Sequence, residues 1–459
     1  MLLIRFIGLA SLGLLVLAGC RPSDDDGTAN ASETSGPGDG DSGDGDPGDG
    51  EPGDGEPGDG DGEPGDGDGD PGDGDGDGDG EPAQIGPDDW LPGAPSGPIA
   101  GAELRDLPTS PSGPPIWVSN NPERFTGNGW LVLHSRTDPT RGGAADPLSG
   151  SFPAYLFHLN GSGANKWVHL VASNPQAEPI SVSAVGSLYT NGEHPLFGAG
   201  TGPSYHVAAD WLAQQPAITI PAQVIAPGTG VVLVSKALGP SQMIDGRFEL
   251  EASAGVYFYA VVTNTNDPAA AINASQGPPA AGDIALPGPN AYGREAGLYE
   301  HSEIVASLGA ALPPGPGHLG FCFNTAAKFA WDGVTLQEQT AAARTIHNDS
   351  AERTWGNYGH RYIVEIDLQN PGPEPRTVRL AIASLFTAAT NDPSFTWSAP
   401  MQVGPVGDPQ VVQAWTTPTE PLDELGSWMI AGEGELSLRV ETYVPGLITA
   451  GQQLLVIAQ

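Results

Sequence analysis

Two stretches of this chain repeat one another. Residues 166–190 read KWVHLVASNPQAEPISVSAVGSLYT, and residues 362–387 read YIVEIDLQNPGPEPRTVRLAIASLFT. Each holds an alternating strand, an Asn-Pro-x-x-Glu-Pro turn, a second alternating strand and a closing Ser-Leu-aromatic-Thr. At an offset of 196, Val168, Leu170, Ala172, Asn174, Pro175, Glu178, Pro179 and Val182 fall on Val364, Ile366, Leu368, Asn370, Pro371, Glu374, Pro375 and Val378. The positions between them differ, with His169 and Val171 against Glu365 and Asp367. A strand with one buried face behaves this way, because alternate side chains point to opposite sides. A second block also matches: Ile220-Pro221, Gly228 and 231–234 against Val444-Pro445, Gly451 and 454–457. On that match the second copy carries about 27 extra residues, in a span that includes Trp397, Trp415 and Trp428. Two related units of this kind point to an all-β chain of two tandem immunoglobulin-like antiparallel β-sandwiches.

The rest of the folded part agrees. Runs rich in Val, Ile, Thr and aromatic residues are short and bounded by Pro, Gly, Asn or Asp, the pattern of many strands and long turns. Strands are expected at 116–119, 129–134, 154–159, 167–173, 180–187, 217–220, 230–234, 248–252 and 256–263, then at 362–368, 378–385, 410–415, 427–430, 435–443 and 453–457. Helices are expected at 205–215, 298–308 and 335–344. The Ala/Pro/Gly-rich run 266–290 reads as the loop between two sandwiches, 115–265 and 291–459, with 83–114 as an extended lead-in.

The N-terminus has a different character. A charged start, an apolar run from Phe6 to Ala18 and the sequence Leu17-Ala18-Gly19-Cys20 resemble the bacterial lipobox. The resemblance implies a signal peptide over 1–19, lipidation of Cys20 and attachment to a membrane through that lipid, since two or more acyl chains anchor stably. Arg21 rather than Asp after the cysteine implies the outer membrane. With Cys20 lipidated, Cys322 is the one cysteine left, so no intrachain disulfide is expected, and Cys322 reads as a buried strand thiol. Residues 21–82 hold 23 acidic side chains against one arginine and almost no apolar ones, so they are expected to form a disordered tether. A Gly-rich coil of that length spans about 45 Å, and self-repulsion extends it. Asp75, Asp77 and Asp79 match the start of an EF-hand loop, but Gly86 stands where the bidentate Glu is required, so loose ion association is the better reading. The remaining 377 residues still carry 33 acidic against 15 basic residues. That balance argues against nucleic acid as a partner.

Ile116-Trp117-Val118-Ser119-Asn120-Asn121-Pro122-Glu123, the Asn174-Pro175 turn, the run 248–262, and Tyr358-Gly359-His360-Arg361-Tyr362 leading to Asn370-Pro371 together resemble an exported bacterial family common in cyanobacteria. That family is known as a domain of unknown function. The resemblance spans roughly residues 100–459 and implies no activity.

No Gly-x-Ser-x-Gly elbow, His-Glu-x-x-His, P-loop or Cys-x-x-Cys occurs. The glycine-rich run 198–203 reads as a loop, because no helix starts after a proline placed there in the way the dinucleotide fingerprint needs. His134, His158 and His169 lie on first-copy strands, where converging imidazoles would hold a transition metal. Separate hydrogen-bonded histidines are the plainer reading. Glu178 and Glu374 occupy equivalent turns on separate units, so turn chemistry is preferred over a catalytic carboxylate pair. No cofactor is expected. Trp355, Asn357, Tyr358, His360 and Arg361 form the densest polar-aromatic run, of the kind that binding surfaces favour. It reads as a structural loop or as a binding strip. Trp397, Trp415 and Trp428 would stack on sugar rings if two were exposed and coplanar. The chain is therefore expected to be a non-catalytic, monomeric envelope lipoprotein of structural or adhesive role. Carbohydrate or peptidoglycan binding is the first alternative, with a glycan or envelope protein as partner, and a hydrolase or metal enzyme the second.

Overall fold

Among the described residues four large sheets and a two-stranded one make up the fold, and one strand is shared by two of the large sheets. The computed structural model describes residues 83–136, 145–195, 202–288, 291–328, 330–385, 397–417, 419–446 and 451–459. The lipobox, Cys20 and the acidic tether lie outside the described residues.

The strand Met243–Thr263 runs through the first sandwich. Its first half pairs with Leu148–Asn160 on one side and Ile180–Thr190 on the other. Its second half pairs with Lys166–Ser173 and Gly129–Leu133 in the facing sheet. The register breaks between Ala252 and Val256, at Ser253-Ala254-Gly255, and the strand changes sheets there. The two strands expected at 248–252 and 256–263 are thus one. Phe248, Leu250, Ala252, Val256, Phe258, Ala260 and Val262 face inward and meet Trp117, Phe152, Val168, Leu170 and Ala172 in one core.

The second sandwich has its own core. Glu303–Ala311, Arg361–Gln369, Glu435–Tyr443, Trp397–Pro405 and Gln410–Thr416 form one sheet. Gly317–Phe323, Gln452–Ala458, Arg376–Ser384 and Leu422–Ile430 form the other. Val364, Ile366 and Leu368 point between them, equivalent to Val168, Leu170 and Ala172 in the first sandwich. Glu365 and Asp367 point to solvent. The face matched in the sequence is the core face in both copies. The all-β sandwich class is what the chain adopts, though pairing is not purely antiparallel. Glu303–Ala311 runs parallel to Arg361–Gln369, and Ile116–Ser119 parallel to Leu148–Asn160.

Both Asn-Pro turns are closed by the same device. Asn174 Nδ2 donates to Glu178 O (2.8 Å) and Ile225 O (2.9 Å), while Oδ1 accepts from Gln176 N (2.7 Å). Asn370 Nδ2 donates to Glu374 O (2.8 Å) and Ala431 O (2.9 Å), and Oδ1 accepts from Gly372 N (3.2 Å). In each copy the amide ties its own turn to a neighbouring turn at which the chain crosses from one sheet to the facing one. Those crossings join Ile218–Ile225 to Gly230–Leu238 in the first copy and Leu422–Ile430 to Glu435–Tyr443 in the second, and their strands pair with equivalent strands in facing sheets. The second block is therefore misaligned in the sequence reading. Gly228 corresponds to the turn around Gly434, and the material unique to the second copy includes the hairpin 397–416.

The chain does not divide where composition suggests. Residues 80–459 make one compact unit. Within the expected lead-in, Ala83–Ile85 and Thr109–Ser112 pair with Glu303–Ala311, in the second sandwich. Ala296–Tyr299 and Ala343–Ile346, beyond the expected boundary, extend a sheet of the first. The run 266–290 holds the helix Pro268–Ser275, capped by Asp267 Oδ1 accepting from Ala269 N (3.0 Å). The helix expected at 205–215 is Pro203–Leu212. A helix does start at that proline, which suits its first turn because an N–H there would be unpaired anyway. The helices expected at 298–308 and 335–344 are absent. The first is strand because Ile304, Ala306, Leu308 and Ala310 alternate into the core. Over most of the second, side chains take the place of a ladder. Gln337 Oε1 accepts from Leu107 N (2.9 Å), and Gln339 Nε2 donates to Cys322 O (3.0 Å).

Candidate functional site

The outer faces of the duplicated sheets differ, and a cleft opens on the first of them. Val171 and Tyr259 point away from the core and, with Leu133, Val261 and Ala271, make a small apolar layer under the helix Pro268–Ser275. Beside the end of that helix a cleft of about 550 Å³ is lined in part by this buried layer. The buried Leu133, Val171, Tyr259 and Ser275 line its floor, the half-buried Tyr257, Ile272 and Ser173 its sides, and the exposed Thr229 and Gln276 its rim. Tyr257 and Tyr259 sit two residues apart on one strand, so both rings lie on the same side, about 7 Å apart. The Tyr259 and Ser173 hydroxyls are hydrogen-bonded at 2.7 Å. Tyr257 Oη donates to Ala145 O (3.3 Å). Ser275 Oγ donates to Ile272 O (2.7 Å) and Thr229 Oγ1 to Ala226 O (2.8 Å), which leaves each oxygen able to accept.

The described lining contains no charged side chain. The corresponding face of the second sandwich is the opposite. There Arg439 pairs with Glu365 (3.7 Å) and Glu441 (3.0 Å), and Arg361 with Glu303 (3.2 Å) and Glu441 (2.8 Å). The scaffold is shared, and the surface chemistry is not.

The residues singled out in the sequence are mostly placed elsewhere. Asn357 is fully buried, with a positive φ of 51°. Its amide donates to Asn324 Oδ1, Gln339 O and Tyr362 Oη and accepts from Thr354 Oγ1, so it is a knot within the fold. His360 is buried beside His301, and burial pushes its pKa down to about 3. Tyr358 packs 6.5 Å from Tyr155 of the first sandwich. Trp355 lies under the Lys328 ammonium with Tyr292. The strip therefore joins the two sandwiches and offers no continuous surface. Trp397 is wholly enclosed against Phe323, so it has no face for a ligand. Trp428 packs on the second core and Trp415 is half-buried. Among the described aromatic pairs none joins two of these three rings, and the coplanar platform is missing.

His134, His158 and His169 go separate ways. His134 Nε2 meets Asp146 O, His158 spans Ser119 Oγ and Pro122 O, and His169 spans Ser235 Oγ and Thr263 Oγ1, each at 2.8 Å. Burial lowers the pKa of His158 and His169 to about 4. Glu178 and Glu374 are exposed, and their main-chain carbonyls, not their carboxylates, meet the turn asparagines. Cys322 is buried in Gly317–Phe323, where burial raises its thiol pKa. Tyr257 and Tyr259 were not singled out as site residues. Their signal was the order Tyr-Phe-Tyr, which puts aromatic rings with polar tips on one face and Phe258 on the other.

No family model matches the chain. No curated protein matches it either. Among solved structures it has a slight likeness to the tandem family 51 carbohydrate-binding modules of the family 98 glycoside hydrolase from Streptococcus pneumoniae, with a TM-score of 0.16 and 7% identity over 72% of this chain and 84% of that one. The Macrobrachium rosenbergii nodavirus gives 0.14 and 10% over 79% and 92%. A Clostridium perfringens catalytic domain with two family 51 modules gives 0.14 and 9% over 77% and 38%. Scores of this size carry no argument. The sandwich assignment rests on the sheets themselves.

Proposed function

We propose that this chain is a lipid-anchored envelope protein whose folded part has a structural or adhesive role, exercised by non-catalytic binding at the cleft of the first sandwich. The carrying observation is the chemistry of that cleft. Its described lining has hydroxyls, amides and aromatic faces, but no carboxylate, imidazole or amine to move a proton or activate water. Its floor is sheet, so the binding groups are held in place before a ligand arrives. The lipobox-like sequence ending at Cys20 and the acidic run after it support display on a membrane, with the outer membrane favoured by Arg21. The partners on this reading are the membrane, through the lipid, and a glycan or protein of the envelope, met by a single copy of the chain.

Labelling cells with radioactive palmitate and separating their membranes tests the anchor. The chain is expected to carry label and sediment with the outer membrane, while Cys20→Ser loses both. Binding of the purified mature chain to isolated cell envelopes tests the adhesive role. An unlabelled chain that sediments regardless of Cys20, or a purified chain that binds no envelope fraction, overturns the corresponding half of the reading.

A further inference from the structure

We infer that the cleft beside the first Asn-Pro turn is a site for a neutral saccharide, with the half-buried Tyr257 ring that lines it as its stacking platform. The inference rests on the binding role above and names its ligand class.

Charge narrows the class first. The folded part carries 33 acidic and 15 basic residues, so its field repels anions over most of the surface. An acidic glycan or nucleic acid would approach against that field and find no cation in the described lining to compensate. A cationic ligand is drawn to the acidic surface in general, and has no reason to choose a cleft whose described lining holds no carboxylate. A neutral ligand is indifferent to the field and is selected by hydrogen bonds and contact area.

The pattern of groups narrows it further. A sugar ring presents a C–H face and a rim of hydroxyls that both donate and accept. The cleft has the complement: the Tyr257 ring, with Val171 and Leu133 below, and hydroxyls or amides from Ser173, Thr229 and Gln276 around the edge. Stacking of an apolar C–H face on an aromatic ring and peripheral hydrogen bonding are satisfied together only by a ligand of this mixed kind. The cleft volume of about 550 Å³ lies within the range of small-ligand sites.

The duplication supplies an internal control. The second sandwich has the same strand, turn and clamp, but Glu365, Asp367 and Arg439 occupy the outer face. One site per chain follows.

Isothermal titration of the mature chain against a panel of neutral hexose and N-acetylhexosamine oligosaccharides, with uronic and sialic acid oligosaccharides as controls, tests this. At least one neutral saccharide is expected to bind with a stoichiometry of one. Tyr257→Ala should weaken it at least tenfold, Tyr257→Phe should retain most of it, and Asp367→Asn should leave it unchanged. Thermal unfolding of each variant identifies any that fail to fold, and Gln276→Ala, at an exposed rim position, provides a second variant that keeps the fold intact. Saccharide binding unaffected by both Tyr257→Ala and Gln276→Ala overturns the site. If no neutral saccharide binds while envelope fractions still capture the chain, the ligand class fails and the adhesive role stands. Envelope capture that survives enzymatic removal of glycans points to a protein partner and has the same consequence. If neither binds, both readings fall.

Discussion

Asn174 and Asn370 show how much one side chain can settle. Each satisfies two carbonyls and one N–H that loop backbone would otherwise leave unpaired. Replacing Asn370 with Ala should therefore destabilise the chain by on the order of 3 kcal/mol in urea unfolding, since each buried group left without a partner costs about 1–3 kcal/mol. Asn370→Asp keeps the acceptor but loses the donors, so it should recover only part. Glycine 359 carries a different constraint. Its φ is +80°, and a Cβ there would lie 2.6 Å from the Tyr155 ring. Gly359→Ala should cost about 2–4 kcal/mol, combining overpacking with a left-handed backbone. Gly407 also has a positive φ, 96°, but nothing within 4 Å of a Cβ, so Gly407→Ala should cost only about 1 kcal/mol by the same measurement. The asparagines were legible because they recur. The glycine was not, because its neighbour is Tyr155, about two hundred positions away.

Among the elements, most of the expected strands formed, and the failures have a common cause. Residues 298–308 contain helix-compatible residues, but their apolar positions alternate. Pairing on both edges of Glu303–Ala311 rewards the alternation. The long strand Met243–Thr263 looked like two because Ser253-Ala254-Gly255 reads as a turn, whereas here it is the irregularity at which a strand changes sheets. That strand also carries Asp245 and Arg247 to the junction of the sandwiches. Arg247 lies between the rings of Trp211 and Tyr443 and donates from Nε to Gly359 O (2.9 Å). Asp245 is fully buried, and the hydroxyls of Ser204 and Tyr155 face it without closing full hydrogen bonds. Burial lifts its pKa from 3.8 to about 7. The folded chain thus holds a proton that the unfolded chain releases between those values, so this group makes stability fall as pH rises from about 4 to about 7. Asp245→Asn should gain stability relative to the parent over that window and hold the gain above it, as read from thermal unfolding across pH. The buried histidines act the other way. His158, His169 and His347 are lowered to about 4 and His360 to about 3, so their contribution is lost as pH falls below 6.5. The variant should therefore show a steeper rise of stability with pH than the parent.

On the scale of the whole molecule, the two sandwiches are interwoven by strands that neither composition nor periodicity assigns. The expected lead-in is edge strand of the second sandwich, and two strands past the expected boundary belong to the first. The helix Pro203–Leu212 comes from the first copy, yet it packs Leu212 and Ala208 against Tyr443 of the second. A sequence records which face of a strand is apolar, because burial filters every second residue in the same way wherever the strand lies. It therefore determined that this chain is all-β, that its core strands are duplicated, and that the Asn-Pro turns are scaffold. It does not record which strand lies alongside which, since backbone pairing is nearly indifferent to side-chain identity. The cleft depends on that missing information. Tyr257, Ser173, Thr229 and Gln276 come from a strand, a second strand's end, a turn between two sheets and a helix end, and only tertiary packing brings these four segments to one cleft.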